Sequence, residues 1–397
     1  MLIDDRVRRF LAVVLALMLI VGCRYSGNVS TRMLGSAPDI SPAAGVSAGC
    51  EYASYFGVIT DPNDSLRARC VFSISPSDGS IDTLMLDSPL RRIVCMSTSN
   101  VAALSALGAD SSIVAVSGLK YISDHKIRSR AEAGEVVDIG YDGSLDYETI
   151  IRLKPELIVA YMVGDAEPPY LAKLRSLGLH VMIVSDHLEQ HPLARAEYVK
   201  LFGALTGRLA EANDFFDDVR DRYISLCADS GKVDLCDGQT GVERDTDHTV
   251  AGAKPVKVLM NIPYADSWYI PGVDNYMSRL VRDAGGVVLG ASEGSASGVI
   301  SIEEAYRLSL QADVWLCPGY CTSRSQLESI HHLFPHFGPV ANGLPIYNNV
   351  SKVNAGGGND FWESGSMRPD KILEDLKTIL SSCRSSNALE LNYFIEL

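Results

Sequence analysis

The sequence predicts an α/β protein of two similar lobes joined by one long helix, with a ligand cleft between the lobes. Three observations carry this expectation. A helix–strand unit occurs twice, in Leu145–Met162 (LDYETIIRLKPELIVAYM) and in Ser301–Pro318 (SIEEAYRLSLQADVWLCP). Each copy starts acidic, runs an apolar helical face and ends in a continuous apolar strand, the pattern of a strand buried on both faces of a parallel sheet. Strands and helices alternate around both copies, which calls for parallel sheets covered by helices on both sides. Between them, Arg208–Leu226 has apolar residues at 209, 212, 215, 216, 219, 223 and 226, a helical period. At 1.5 Å per residue that helix is about 30 Å long, the width of a small lobe.

The chain opens on a basic start (Arg6, Arg8, Arg9) and an apolar run from Phe10 to Val21. That run is too short to cross a bilayer of ~30 Å as a helix and suits a signal-peptide core, so residues 1–22 read as a signal segment. Gly22-Cys23 resembles the bacterial lipobox, in which the Cys is acylated and becomes the first residue of the mature chain. Cys23 is therefore the expected lipidation site; a plain cleaved signal is the alternative. Residues 23–50, rich in Ser, Gly, Ala and Pro, read as a flexible tether. Residues 51–88 alternate weakly between Asp-Pro-Asn-Asp and Ser-Pro-Ser-Asp-Gly turns and read as a small antiparallel meander.

The N-terminal lobe spans 89–207, with strands at 93–97, 112–118, 157–160 and 180–185. Ser99 and Asn100 can cap its first helix. The stretch from 119 to 143 reads as irregular, and a helix follows at 168–177. Pro192 starts the lobe's last helix and Gly207 stops it. The interdomain helix takes 208–227, and an exposed loop with almost no large apolar residues takes 228–254. The C-terminal lobe, 255–383, holds a strand at 256–262, a helix at 275–284, the second copy of the unit, a strand at 345–349 and a closing helix from Pro369. Residues 384–397 form a tail.

The net charge of −14 argues against a nucleic-acid partner, which needs a basic face. Of nine cysteines, eight besides Cys23 would sit where disulfides form, with Cys227/Cys236 and Cys317/Cys321 the nearest pairs. Cys95 and Cys317 lie in apolar runs and read as buried small hydrophobes. No C-x-x-C, G-x-S-x-G, Walker or G-x-G-x-x-G motif occurs, so the sequence points away from an enzyme. Gly356-Gly357-Gly358 leads into Asn-Asp-Phe-Trp and is a weak phosphate cradle. His331, His332 and His336 are interrupted by Pro335 and read as surface histidines, so no metal site is expected.

In open α/β sheets ligands sit beyond the carboxyl ends of the strands. The loops there carry Ser97, Thr98, Ser99, Lys120-Tyr121, Tyr161, Tyr264, Trp268, Tyr269, Tyr320 and Asn359-Asp360-Phe361-Trp362. Aromatic rings with polar tips suit a large, flat, partly apolar ligand, although packing between lobes is an alternative for any single one. Glu148 and Glu303 sit near the helix start of the two copies. Each stabilises its helix dipole. As equivalent positions they would also form a two-pronged acidic face for a basic, two-fold-related partner.

RRIVCMSTSNVAALSALGA, LDYETIIRLKPELIVAY with LRSLGLHVMIV, and the SIEEA…ADVWL repeat resemble the substrate-binding lipoproteins of bacterial ABC importers for iron chelates, haem and cobalamin, over about residues 90–380. HPLARAEYVKLFGALTG, IPYADSWYIPG and GGGNDFWESGSMRPDKILEDL look like a Bacteroidetes-type branch. The resemblance implies two Rossmann-like lobes, a single long interdomain helix and a shallow cleft with limited closing motion. It implies a monomeric periplasmic receptor, held at the membrane by its lipid, that uses no cofactor and passes a metal chelate to an ABC permease dimer with its ATPase subunits. Glu148 and Glu303 fall on the paired glutamates that meet permease arginines. Tyr161 matches a ligand-contacting position of the cobalamin binders, and Tyr121 and Tyr141 lie near two others. Where those binders carry Trp this chain carries Tyr, which argues against cobalamin and leaves haem or a ferric siderophore open. A surface or signalling lipoprotein without a permease, on the same scaffold, is the second reading; a chelatase-like enzyme is the third.

Overall fold

The computed structural model describes residues 50–228 and 254–397, apart from 165, 265–266 and 383–389. All belong to the compact unit Ser47–Leu397. The signal segment, Cys23, the tether up to residue 49, Cys236, Cys383 and nearly all of the 228–254 loop lie outside the described residues.

The order of elements begins with β1 (Phe56–Asp61), β2 (Asp64–Ile74) and β3 (Ile81–Met85), an antiparallel sheet in the order β1-β2-β3. Then come β4 (Ile93–Cys95), α1 (Thr98–Ala106), β5 (Ile113–Val116), α2 (His125–Glu132), β6 (Val137–Asp138), α3 (Tyr147–Leu153), β7 (Leu157–Ala160), α4 (Pro169–Ser176), β8 (Val181–Ile183), α5 (Pro192–Thr206) and α6 (Leu209–Ala228). The second half has β9 (Val256–Met260), β10 (Pro263–Tyr264), β11 (Ser267–Ile270), α7 (Tyr276–Asp283), β12 (Gly286–Val288), β13 (Gly298–Ile300), α8 (Ile302–Ser309), β14 (Val314–Leu316), β15 (Ile346–Asn348), α9 (Pro369–Ser382) and β16 (Ile395–Glu396).

Each half is organised by one five-stranded sheet, ordered β6-β5-β4-β7-β8 and β12-β9-β14-β15-β16. The first is wholly parallel; in the second only β16 runs antiparallel. The first strand of each half (β4, β9) is flanked by its second (β5, β12) and by the strand of the repeated unit (β7, β14). The halves share one winding. Period-2 alternation explains why the strands are apolar throughout. Ile93, Cys95, Leu157 and Val159 turn to the core shared with α5 and α6, while Val94, Ile158 and Ala160 turn to a second core with Ile150 of α3 and Leu171 and Leu174 of α4.

The last helix of the first half is the link. α6 buries Leu209, Ala212, Phe216, Val219, Tyr223 and Cys227, one stripe along its length. Its start packs on α5, and its end meets the second half: the Tyr223 hydroxyl donates to Asp283 Oδ2 (2.6 Å), and Lys377 of α9 donates to the Leu226 carbonyl.

Several details differ from the sequence expectation. The stretch 119–143 is not irregular, since α2 and the edge strand β6 lie within it. Residues after 383 do not end as a tail, because β16 closes the second sheet and Tyr393 and Phe394 are buried. The aromatic segment after β9 is an antiparallel sheet, β10-β11-β13. The sequence left the two nearest cysteine pairs open: Cys317 and Cys321 are free thiols, and Cys227 is disulfide-bonded.

The approach to β1 is fixed by two buried carboxylates. Glu197 of α5, wholly inaccessible, accepts from the backbone N–H groups of Glu51 (2.7 Å), Tyr52 (2.8 Å) and Ala53 (2.9 Å) and from Lys200 Nζ (2.9 Å). Glu189 accepts from the N–H groups of Ser54 (2.8 Å) and Tyr55 (3.0 Å). Replacing Glu197 by Ala strands three N–H groups and leaves the Lys200 ammonium without that partner. Urea unfolding of Glu197→Ala is expected to show a loss of about 3 kcal/mol or more, whereas Glu211→Ala on the exposed face of α6 changes stability by less than about 1 kcal/mol.

Candidate functional site

The carboxyl ends of the two sheets face one cavity of about 300 Å³. From the first half, Met96 and Ser97 follow β4, Ser117 and Tyr121 follow β5, Tyr141 follows β6 and Tyr161 follows β7. From the second, Tyr320 follows β14, and Asn359 and Trp362 follow β15. Each residue arrives there because a parallel strand that ends at the sheet's edge must deliver its loop to that side.

The aromatic rings are held by one another. Tyr121 and Tyr141 meet edge to face with centroids 6.0 Å apart, and the Tyr141 and Tyr161 hydroxyls lie 3.3 Å apart. Tyr161 also packs edge-on against His187 at 6.2 Å. Tyr320 is 84 % exposed, Trp362 49 % and Tyr141 46 %, so large ring faces remain open to a ligand. Ser97 caps α1, its Oγ accepting from Ser99 N (3.3 Å) and lying 2.8 Å from Ser99 Oγ.

The two halves are clasped along one side of this cavity. Gly356 and Gly358 lie against the backbone of 120–121; a Cβ at either would overlap the carbonyl oxygen of Lys120 or of Tyr121. This close approach accounts for the glycine run. Asn354 Nδ2 donates to the Ile122 carbonyl (3.0 Å). Glu363, 2 % exposed, accepts from Ser123 N (2.6 Å) and Asp124 N (2.8 Å), at the N-terminus of α2 that Asp124 itself caps. A carboxylate on the positive end of a helix is a favourable pairing.

Of the residues singled out in the sequence, Ser97, Thr98, Tyr121, Tyr141, Tyr161, Tyr320, Asn359 and Trp362 line the cavity. Five others in that group depart from expectation or stand apart from the cavity. Trp268 is not at the cleft: alternation along β11 turns it inward, fully buried, with Nε1 donating to the Met260 carbonyl (2.9 Å) and its ring stacked on Phe337. Phe361 is a core residue set edge-on to Tyr393 and Phe394. Tyr264 and Tyr269 are exposed on the small β10-β11-β13 sheet, where Tyr269 sits opposite exposed Val299, and neither lines the cavity. Ser99 is buried beneath Ser97 in the first turn of α1. Gly357 and Gly358, of the glycine run, also line the cavity, as do Met96 and Ser117, which the sequence did not mark; their position directly after apolar strands was the available signal. Among the described residues no cluster of His, Cys, Asp or Glu is arranged to hold a metal ion.

Glu148 and Glu303 occupy the same place in their helices. α3 is capped by Asp146, which accepts from Thr149 N, and α8 by Ser301, which accepts from Glu304 N, so each glutamate is the second residue after its cap. Both are exposed. Glu304 is instead engaged with Arg307 (2.9 Å). The backbone N–H of Glu303 and the Ser301 hydroxyl hold the Glu303 carboxyl below its ordinary range.

Burial raises the Glu363 carboxyl from 4.5 to about 7, against the pull of the two N–H donors, and burial does the same to Glu189. For both, the folded-state value exceeds the unfolded one, so the native state binds more protons between about 4.5 and 7. The contribution of these two carboxyls to stability is thus highest below that window and falls as pH rises through it. Urea unfolding from about pH 5 to about pH 8 is expected to show this slope, shallower in Glu363→Gln. Glu363→Ala leaves two N–H groups without their acceptor and is expected to cost about 1–3 kcal/mol.

Comparison with known proteins agrees with this geometry. Residues 93–229 match the family described as "Periplasmic binding protein". An uncharacterized lipoprotein of Methanocaldococcus jannaschii is 24 % identical over 306 residues, a match covering 75 % of this chain and 66 % of that protein, just under two thirds of its length. Among solved structures, the periplasmic vitamin B12 binding protein of Vibrio cholerae superposes with a TM-score of 0.51 at 18 % identity, over 75 % of this chain and 99 % of the other. A periplasmic heme binding protein from Pseudomonas aeruginosa gives 0.52 at 17 % identity, over 77 % and 97 %. At such identities the structures establish the fold. The periplasmic binding protein family is thus matched in sequence by the N-terminal lobe and the interdomain helix, and solved periplasmic binding proteins match both lobes in fold.

Proposed function

We propose that the protein is a membrane-tethered receptor that captures a metal chelate, haem or a ferric siderophore, in the tyrosine-lined cleft and hands it to an ABC permease dimer with its ATPase subunits. One observation carries the reading: Tyr121, Tyr141, Tyr161, Tyr320 and Trp362, drawn from both lobes, converge on one cavity beyond the strand ends. Open ring faces suit the flat apolar part of such a ligand, and phenol hydroxyls suit its polar rim. Cobalamin is the less favoured cargo, because tyrosines stand where its binders carry tryptophan.

Docking is assigned to Glu148 and Glu303. The start of α3 is six residues beyond Tyr141, and α8 starts directly after β13 of the small sheet that follows β9. Both acids hold the same position after the helix cap in their lobes, a repetition that a two-fold permease with basic residues would match. The lipoprotein character of the Methanocaldococcus relative supports an anchor at Cys23.

Trp362 is half exposed in the cleft while Trp268 and Trp315 are fully buried, so fluorescence separates site from core. Titration with haem, cyanocobalamin and ferrioxamine B is expected to quench emission with at least one of them, and Trp362→Phe should remove most of that quenching. Quenching that survives the substitution, or none with any ligand, overturns the reading. Glu148→Lys/Glu303→Lys is expected to abolish cellular uptake of the bound chelate with its affinity unchanged; uptake that persists points to a receptor without a permease.

A further inference from the structure

A second cavity, of about 570 Å³, lies under the β2–β3 hairpin. One wall is the hairpin itself, including Ser75, Ser80 and Asp82. The other is built from the carboxyl-end loops of β7 and β8, with Met162, Glu167 and Ser185, and from Arg175 of α4. The hairpin precedes residue 93, where the family match begins.

Neighbouring residues of one loop line the two cavities. Tyr161 faces the cleft, whereas Met162 and Gly164, its near neighbours, face the second cavity. The Tyr161 ring rests on His187, which belongs to the same turn after β8 as Ser185 and Leu188 of the second cavity. Both volumes fall in the range of small-molecule sites.

The lining states what could enter. Serine hydroxyls alternate with Ile74, Ile81, Met162, Ile183 and Leu188, an amphipathic surface. Three carboxylates, Asp78, Asp82 and Glu167, face one guanidinium, Arg175, which pairs with Glu167. Asp78 is committed to its own turn, accepting from Ser80 N (3.0 Å) and Ser80 Oγ (2.8 Å). The residual potential is negative, so a carboxylate or phosphate is repelled and a cation is drawn in.

We propose that the cavity under the hairpin is a second subsite, taking a cationic arm of the ligand whose body lies in the tyrosine cleft. The proposal rests on the chelate-binding reading and adds a discrimination by arm charge. It is tested by calorimetry on the whole protein with two probes that share one ferric hydroxamate core: ferrioxamine B, whose arm ends in an ammonium, and its succinylated derivative, whose arm ends in a carboxylate. The wild type is expected to prefer the ammonium form by about ten-fold or more. Asp82→Asn/Glu167→Gln should erase most of the preference, while Glu132→Gln/Glu328→Gln, the same charge change at exposed sites elsewhere, should keep it. Equal affinity for the two probes, a preference that falls equally in both variants, or binding of neither probe overturns the subsite. Haem and cyanocobalamin, titrated in parallel, separate the two failures: if either binds, the chelate reading stands without the subsite, and if no chelate binds, both fall.

Discussion

The cleft depends on a contact between backbones. Loop 354–363 of the second lobe lies on residues 120–124 of the first so closely that only glycine fits at 356 and 358, and Glu363 seals the contact by accepting two N–H groups at the start of α2. Tyr121 and Trp362, cavity residues from opposite lobes, sit directly beside this clasp. Their relative position is therefore set before any ligand arrives. Preorganisation of this kind lowers the ordering cost of binding, and it suits a receptor whose lobes are also bridged by one continuous helix. A wide hinge motion would have to break buried hydrogen bonds at the clasp and the Tyr223–Asp283 contact on α6 together.

The duplicated winding explains why acidic positions recur in register. A helix that leads into a parallel strand begins on the side where the strands end, so its first turn stands beside the ligand cleft. In both lobes that first turn is opened by an oxygen cap, Asp146 or Ser301, and its second residue is glutamate. The cap register settles which of Glu303 and Glu304 corresponds to Glu148, since Glu304 is one position later and is spent on Arg307.

Most of the architecture was legible because its signals are local. Continuous apolar runs such as LIVA and IVAV are buried at every residue, and the 209–228 stripe is the buried face of a helix. The site was legible only in part. Tyr161 and Ser97 follow apolar strands directly and could be found that way. Trp268 misled, because a four-residue strand, Ser-Trp-Tyr-Ile, was read as a loop, and its alternation sends the tryptophan inward and the tyrosine outward. Phe361 and Trp362 are neighbours with opposite fates, one in the core and one at the cleft, which composition cannot distinguish. The clasp was invisible: Glu363 and its donors are separated by 239 and 240 residues, and no periodicity links them.

The approach to β1 adds a mechanical argument. Five consecutive backbone N–H groups, from Glu51 to Tyr55, end on just two carboxylates, and Glu197, which takes three of them, is on α5. α5 packs on α6, and Arg195 of α5 stacks over Tyr276 of the second lobe at 4.0 Å. A pull on residues 51–53 is thus passed to α5, which packs on the interlobe helix, and one on Ser54 and Tyr55 to Glu189, in the turn after β8.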